Sequence, residues 1–342
     1  MREPSVAQSS QRIERLGQSS LQGGEFQSMA FISELRDPST WYSKLVIAIL
    51  AFVFIGFFAA AGISGYLMYK AISPAQRTSE IDLQNFPGHP QTLSYAAPGE
   101  GQREGWFFPG LKAAPTIMLC PAYGSSRGEL VTLASALQDQ QYNVFLFDFS
   151  AQGASNGRST LGFREVSELH AAMNAVASRG DVDPNRFGLW GVNLGAYVAL
   201  SEAISDHRVH AAAVESAYSQ PEDMVRVYVA RSGLGSLSLI TRIAELEFRA
   251  LNSHYRNVPP LTTSIGKLSG VAQLYLESPE DPILADTTTE IFRASPPPHE
   301  LVVVSKGNYA GMLDDEKRNY ENRIVSFFLV NLPATGAPGS VN

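Results

Sequence analysis

Gly191-Val-Asn-Leu-Gly195 is the stretch on which any chemistry in this chain turns. It follows the short apolar run Arg186-Phe-Gly-Leu-Trp190 and leads directly into the helix-forming Ala196-Tyr-Val-Ala-Leu200. An apolar run bounded by turn signals reads as a buried strand, so the predicted order is strand, sharp elbow, helix. Glycine on both sides suits a place where strand and helix pass too close for a Cβ. Asn193 tolerates the positive φ of such a turn better than most residues. Its carboxamide has no hydroxyl or thiol to activate, so the elbow offers no covalent nucleophile.

Other residues capable of acid, base or ligand chemistry are scattered. Asp281, in Leu274-Tyr-Leu-Glu-Ser-Pro-Glu-Asp-Pro-Ile-Leu284, stands before a proline and reads from its local sequence as a turn cap. Tyr309 comes shortly after Leu301-Val-Val-Val-Ser305; a phenol titrates near pH 10 and is a poor general base at neutrality. His299 precedes that apolar run, at the wrong edge of a sheet to reach the elbow. His170 lies in an amphipathic helical pattern and reads as a packing or surface residue. His207, His210 and His254 lack metal-like spacing, and His89 falls in a linker. A zinc site needs three or four convergent ligands, so neither metal nor cofactor is expected. Cys120, the single cysteine, sits in an apolar run and reads as a small core hydrophobe.

The elements that must position these residues begin late in the chain. At 342 residues there is room for one domain of about 250 residues plus additional segments. Residues 1–40 are rich in Gln, Ser and Gly and read as a disordered tail. Residues 45–69 carry no charge and are long enough to cross the roughly 30 Å hydrocarbon core as a helix. Trp41, Tyr42, Tyr66 and Tyr69 sit at its ends, where amphipathic rings favour the interface. The expected setting is therefore a single-pass membrane protein with the bilayer as partner through residues 45–69. Arg36 and Lys44 balance Lys70 and Arg77, and Arg2, Arg12 and Arg15 tip the bias toward tail inside and main domain outside. A net charge of -7 without a basic patch argues against nucleic acid as a partner.

A linker over 70–90 precedes a main domain over 91–332, and 333–342 read as a flexible tail. Strands are predicted near 91–96, 103–108, 116–120, 142–147, 187–189, 209–215, 271–276 and 301–304, with helices near 128–140, 162–178, 194–205 and 316–331. This alternation implies an α/β fold with a mostly parallel sheet covered by helices on both faces. Between the sixth and seventh strands, residues 220–260 carry apolar stripes such as Met224, Val227, Leu239, Ile243 and Leu246. These read as packing onto the sheet, as the wall of an apolar pocket over Asn193, or as a face toward the bilayer.

Over roughly 91–332 the chain resembles the α/β-hydrolase family, in the branch of serine-aminopeptidase-like and membrane-anchored hydrolases. The elbow is similar to that family's G-x-S-x-G, with Asn193 at the nucleophile position. Pro121-Ala-Tyr-Gly-Ser-Ser126 resembles its H-G-x-G loop, with Pro121 and Ala122 where His and Gly are usual. Asp148-Phe-Ser-Ala-Gln-Gly-Ala-Ser-Asn-Gly157 resembles its D-x-R-G-x-G-x-S-x-G turn, matching at Asp148, Gly153, Ser155 and Gly157, with Ser150 for Arg. The resemblance implies an eight-stranded sheet with a small cap over about 220–260. It also puts Tyr123 and Leu194 at the oxyanion-hole positions, Asp281 at the triad acid and Tyr309 where the family has His. With nucleophile and base both changed in type, the expectation is a catalytically degenerate protein binding a small apolar ligand or a protein partner. The alternative is an active esterase or peptidase with a non-standard site drawing on Asp281, Ser125 and Ser126.

Overall fold

The computed structural model describes residues 41–75, 88–99, 101–153, 157–307 and 309–334. The expected disordered tail 1–40, most of the expected linker, Ser155 and the terminal 335–342 lie outside the described residues.

The strands are β1 (Gln91–Ala97), β2 (Gly101–Phe108), β3 (Thr116–Cys120), β4 (Asn143–Phe147), β5 (Phe187–Val192), β6 (Val209–Glu215), β7 (Ala272–Glu277) and β8 (His299–Val303). They form one sheet in the order β1-β2-β4-β3-β5-β6-β7-β8. β1 and β2 are antiparallel, as are β2 and β4; every other pair is parallel. The last strand starts at His299 rather than at Leu301 because Gln273 pairs with His299 in register.

The helices are α1 (Trp41–Ile72), α2 (Val131–Asp139), α3 (Phe163–Ala177), α4 (Leu194–Ser205), α5 (Pro221–Val229), α6 (Ser238–Leu251), α7 (Leu261–Ser264), α8 (Pro282–Ala294) and α9 (Asp314–Asn331). Strands buried on both faces explain why their sequences read as unbroken apolar runs. Met118, Phe145, Phe147 and Leu189 pack into one core with α3, α4 and α6. Ile117, Val144, Leu146 and Trp190 pack into the other with α2 and α9.

Helix α8 is additional to the sequence expectation. The run Thr287-Thr288-Thr289 lowers intrinsic helix propensity through its β-branched side chains. What starts the helix is local chemistry: Pro282 occupies its first turn and Asp281 accepts from Leu284 N at 3.3 Å. Thr287 and Thr288 donate back to the Leu284 carbonyl and across to that of Ala217, fixing the helix on the end of β6.

Helix α1 is long and apolar enough to cross a membrane. It does not give way to a linker at residue 70 but runs through Ile72. Leu67, Ala71 and Ile72 are buried, and Leu67 and Ile72 belong to the same core as α3 and α4, which holds these last turns helical.

Between β6 and β7, helices α5 and α6 form the cap. Met224, Val225, Val227, Ile240, Ala244 and Phe248 are buried in the sheet-side core, whereas Leu237, Leu239, Leu246 and Leu251 are exposed. One set of stripes thus packs onto the domain and a second set does not. Phe248 is fully buried and stacks on Phe163 at 6.4 Å. Phe248→Ala is expected to destabilise the protein by about 3–5 kcal/mol in equilibrium denaturation; a loss near zero would mean that the cap is a loosely held lid.

Candidate functional site

The elbow sits between β5 and α4, and its backbone is strained: Asn193 has φ 39° and ψ -95°. Both glycines are explained by close approach. A Cβ on Gly191 would lie 2.3 Å from the backbone carbon of Gly195, and one on Gly195 would lie 2.2 Å from the Cys120 carbonyl oxygen. A strand, a helix and the end of β3 therefore meet where no side chain fits.

The Asn193 side chain turns back on this turn. Its Oδ1 accepts from Leu194 N at 2.5 Å and from Tyr123 N at 2.7 Å. Two backbone donors from two loops converge on one carboxamide oxygen. With the oxygen so engaged, Nδ2 is the atom that Asn193 can offer to the cavity it lines.

That cavity measures about 620 Å³, within the usual range for small-molecule sites. Lys70 and Ser73, from the end of α1, form one wall; Tyr228 and Arg231 from the cap face Tyr123 and Glu129. Charged and hydroxyl groups prevail, so the expected apolar pocket over Asn193 is corrected to a polar one. The cap contributes a phenol and a guanidinium there because its leucines either enter the core or face outward. Burial raises the Tyr123 phenol well above its ordinary value, with Tyr228 adding to the rise and Arg231 opposing it. It stays a neutral donor, toward the Lys70 carbonyl at 3.4 Å.

Asp281 and Tyr309 do not join this cavity lining. Asp281 caps α8 and pairs with Arg231 at 2.9 Å, so its carboxylate is taken up by structure and by a cap cation. Tyr309 turns the other way, into the core under α2 and α9. It packs edge-on to Trp190 at 5.4 Å, beside Tyr320, and its hydroxyl bonds to Thr132 Oγ1 at 2.8 Å and to Glu321. Burial and the neighbouring Glu321 carboxylate push this phenol far up, so it takes no proton at neutral pH. The family-like triad positions are thus not assembled: a large ring gains more from the aromatic cluster than from the polar cavity. The turn's preceding residue, Asn308, lies outside the described residues.

The surrounding loops follow from local chemistry. Asp148 Oδ1 accepts from Arg127 N at 2.7 Å, and a Cβ on Gly153 would strike the Asp148 carboxylate at 2.3 Å. Ser150, where the family-like turn has Arg, is reached instead by Arg103 at 2.9 Å. Ser125 and Glu129 both line the cavity, and the serine hydroxyl donates to the carboxylate. Among the described residues, no histidine lines the cavity.

One group of metal-type side chains was missed in the sequence because its members lie far apart along the chain. His170 Nδ1, Glu202 and Asp206 offer ligand atoms within 4.8 Å of one another. His170 is 2.6 Å from Glu202, while Arg208 pairs with Asp206, so protein partners already engage the group.

The fold is that of the α/β hydrolases. An esterase of Pyrococcus furiosus, Pf2001, superposes with a TM-score of 0.58 at 16% identity, over 76% of this chain and all of that one. The α/β hydrolase GrgF of a Penicillium species superposes with a TM-score of 0.54 at 17% identity, covering 71% and 99%. Among curated proteins, an uncharacterized protein of Mycobacterium tuberculosis is 33% identical over 103 residues, 29% of this chain. That match spans 36% of the relative's own length. No family model matches the chain.

Asn193→Ala tests the elbow. Losing the shared acceptor while keeping a left-handed backbone is expected to cost about 2–3 kcal/mol of stability in denaturant titration. A change below about 0.5 kcal/mol, the level of an ordinary surface substitution, would show that neither hydrogen bond matters.

Proposed function

We propose that this chain is a membrane-anchored α/β-hydrolase-fold protein that binds a small polar or amphiphilic molecule without hydrolysing it. The observation that carries the reading is Asn193 Oδ1 accepting from both Tyr123 N and Leu194 N. In an acyl-transfer enzyme those two donors would await the oxyanion of a tetrahedral intermediate. Here a resident carboxamide takes their place, and no hydroxyl stands on the elbow to form such an intermediate. What is left is a floor that offers an amide N–H₂, flanked by Lys70, Arg231, Glu129 and the phenols of Tyr123 and Tyr228. Groups of both charge signs around a 620 Å³ cavity suit a ligand with several polar contacts rather than a hydrocarbon.

A second reading has one specific support. Ser125 donates to Glu129 within the same cavity, which Asn193 also lines. Ser125 would then attack the ester carbonyl with Glu129 accepting its proton and the carboxamide N–H₂ meeting the developing oxyanion. The ester C–O bond would break as Glu129 returns that proton to the leaving alcohol, and water would release the acid from Ser125.

A fluorophosphonate probe separates the two. The full-length protein in detergent is expected to remain unlabelled and to leave p-nitrophenyl esters intact. Stoichiometric labelling that disappears in Ser125→Ala would replace the binding reading with the enzymatic one. The orientation belongs to the same proposal: protease added to intact cells is expected to digest the main domain, and full protection would place that domain inside.

A further inference from the structure

The outward face of α6 is unusually apolar for a helix on the surface of a domain. Ile240, Ala244 and Phe248 recur at helical spacing and fill the core. Leu239, Ile243, Leu246 and Ala250 recur at the same spacing roughly 130° further round, taking about 100° per residue. Leu239 is 57% exposed and Leu246 62%, and Leu237 at 49% extends the stripe beyond the helix start. Arg242 borders it on one edge, beside Arg249, which pairs with Glu222 at 2.9 Å.

Helix α1 fixes what this face meets. Ser64 donates to the Ile240 carbonyl at 3.0 Å in a buried contact, and Gly65 lies against the Glu247 carboxylate, 3.5 Å from the point where its Cβ would stand. Beyond this seam, Leu67, Ala71 and Ile72 are buried in protein, and Tyr66 is exposed. A span of about 20 residues is enough to cross the hydrocarbon core, and counted from residue 45 it ends at Ser64. The polar hydroxyl, the adjacent tyrosine and the start of burial in protein all mark the same level along α1 as the exit from the bilayer. α6 is hydrogen-bonded to α1 at that level.

We infer that α6 lies on the bilayer surface, with Leu239, Ile243 and Leu246 entering the boundary of headgroups and acyl chains and Arg242 meeting anionic headgroups. This rests on the membrane reading of α1. The chemistry is that of an interfacial amphipathic helix: one apolar stripe in the acyl boundary, with Arg242 beside it at headgroup level. Glu245 is withdrawn from this surface by its pairing with Arg226, so it does not oppose an anionic lipid. Burial raises the Glu247 carboxyl above the ordinary range, as suits a group at an apolar seam.

The test uses the full-length protein in vesicles of phosphatidylcholine with an anionic phospholipid. The only native thiol, Cys120, is buried, so single cysteines can be introduced and labelled with an environment-sensitive fluorophore. Leu239→Cys and Leu246→Cys report on α6, Phe54→Cys on the span, and Leu313→Cys is a control on an exposed apolar residue outside the cap. With acyl-chain-brominated lipid, emission at 239 and 246 is expected to be lost to an extent comparable with 54, while emission at 313 is kept. Emission kept at 239 and 246 but lost at 54 would overturn the docking of α6 and leave the membrane span standing. Emission kept at all four positions would remove the span and this inference together. A blue shift at 239 and 246 without bromine quenching would assign the face to a second copy of the chain, which also overturns it.

Discussion

Everything around the cavity depends on one crowded turn. β5 ends and α4 begins within a space where the Gly195 Cα faces the Cys120 carbonyl, and only glycine can stand at positions 191 and 195. The turn forces Asn193 into a left-handed backbone and simultaneously aims two N–H groups at one point. Strain of this kind persists only where surrounding structure over-determines it. Here the parallel strands on both sides of β5 and the helices on both faces supply that support. A carboxamide at this position satisfies both donors internally, which stabilises the turn.

The centre of the sheet was legible because β3 to β7 are buried on both faces. Runs such as Thr116–Cys120 and Asn143–Phe147 contain almost nothing but apolar residues, and the observed bounds differ from the expected ones by only a few residues. The elbow was legible for a different reason: its two glycines report a close approach that no other residue allows. α8 was not, since three consecutive threonines mask a helix whose start depends on Asp281 and Pro282. The same aspartate drew attention as a candidate acid, while its capping signal was already present in the Asp-Pro step.

Tyr309 shows a limit of another kind. A residue in the turn after the last strand can face the cavity or the core, and neither spacing nor composition decides which. Trp190 and Tyr320 decide it, and they come from β5 and α9, more than a hundred residues apart. The polar character of the cavity was hidden for a similar reason. Its lining comes from the end of α1, the loop after β3, the cap and the loop after β7, segments that only the closed fold brings side by side.

The last turn of α1 has a consequence for how the protein can be handled. Lys70 and Ser73 form part of the cavity wall, the Lys70 carbonyl accepts from Tyr123, and Leu67 and Ile72 complete the core beneath. The end of α1, from Ile63 onward, is part of the main compact unit. A version trimmed after Ile72 would lose Lys70 from the cavity wall and bare the apolar surface that Leu67 and Ile72 had covered. The shortest faithful version of this fold keeps the helix from Ile63 onward.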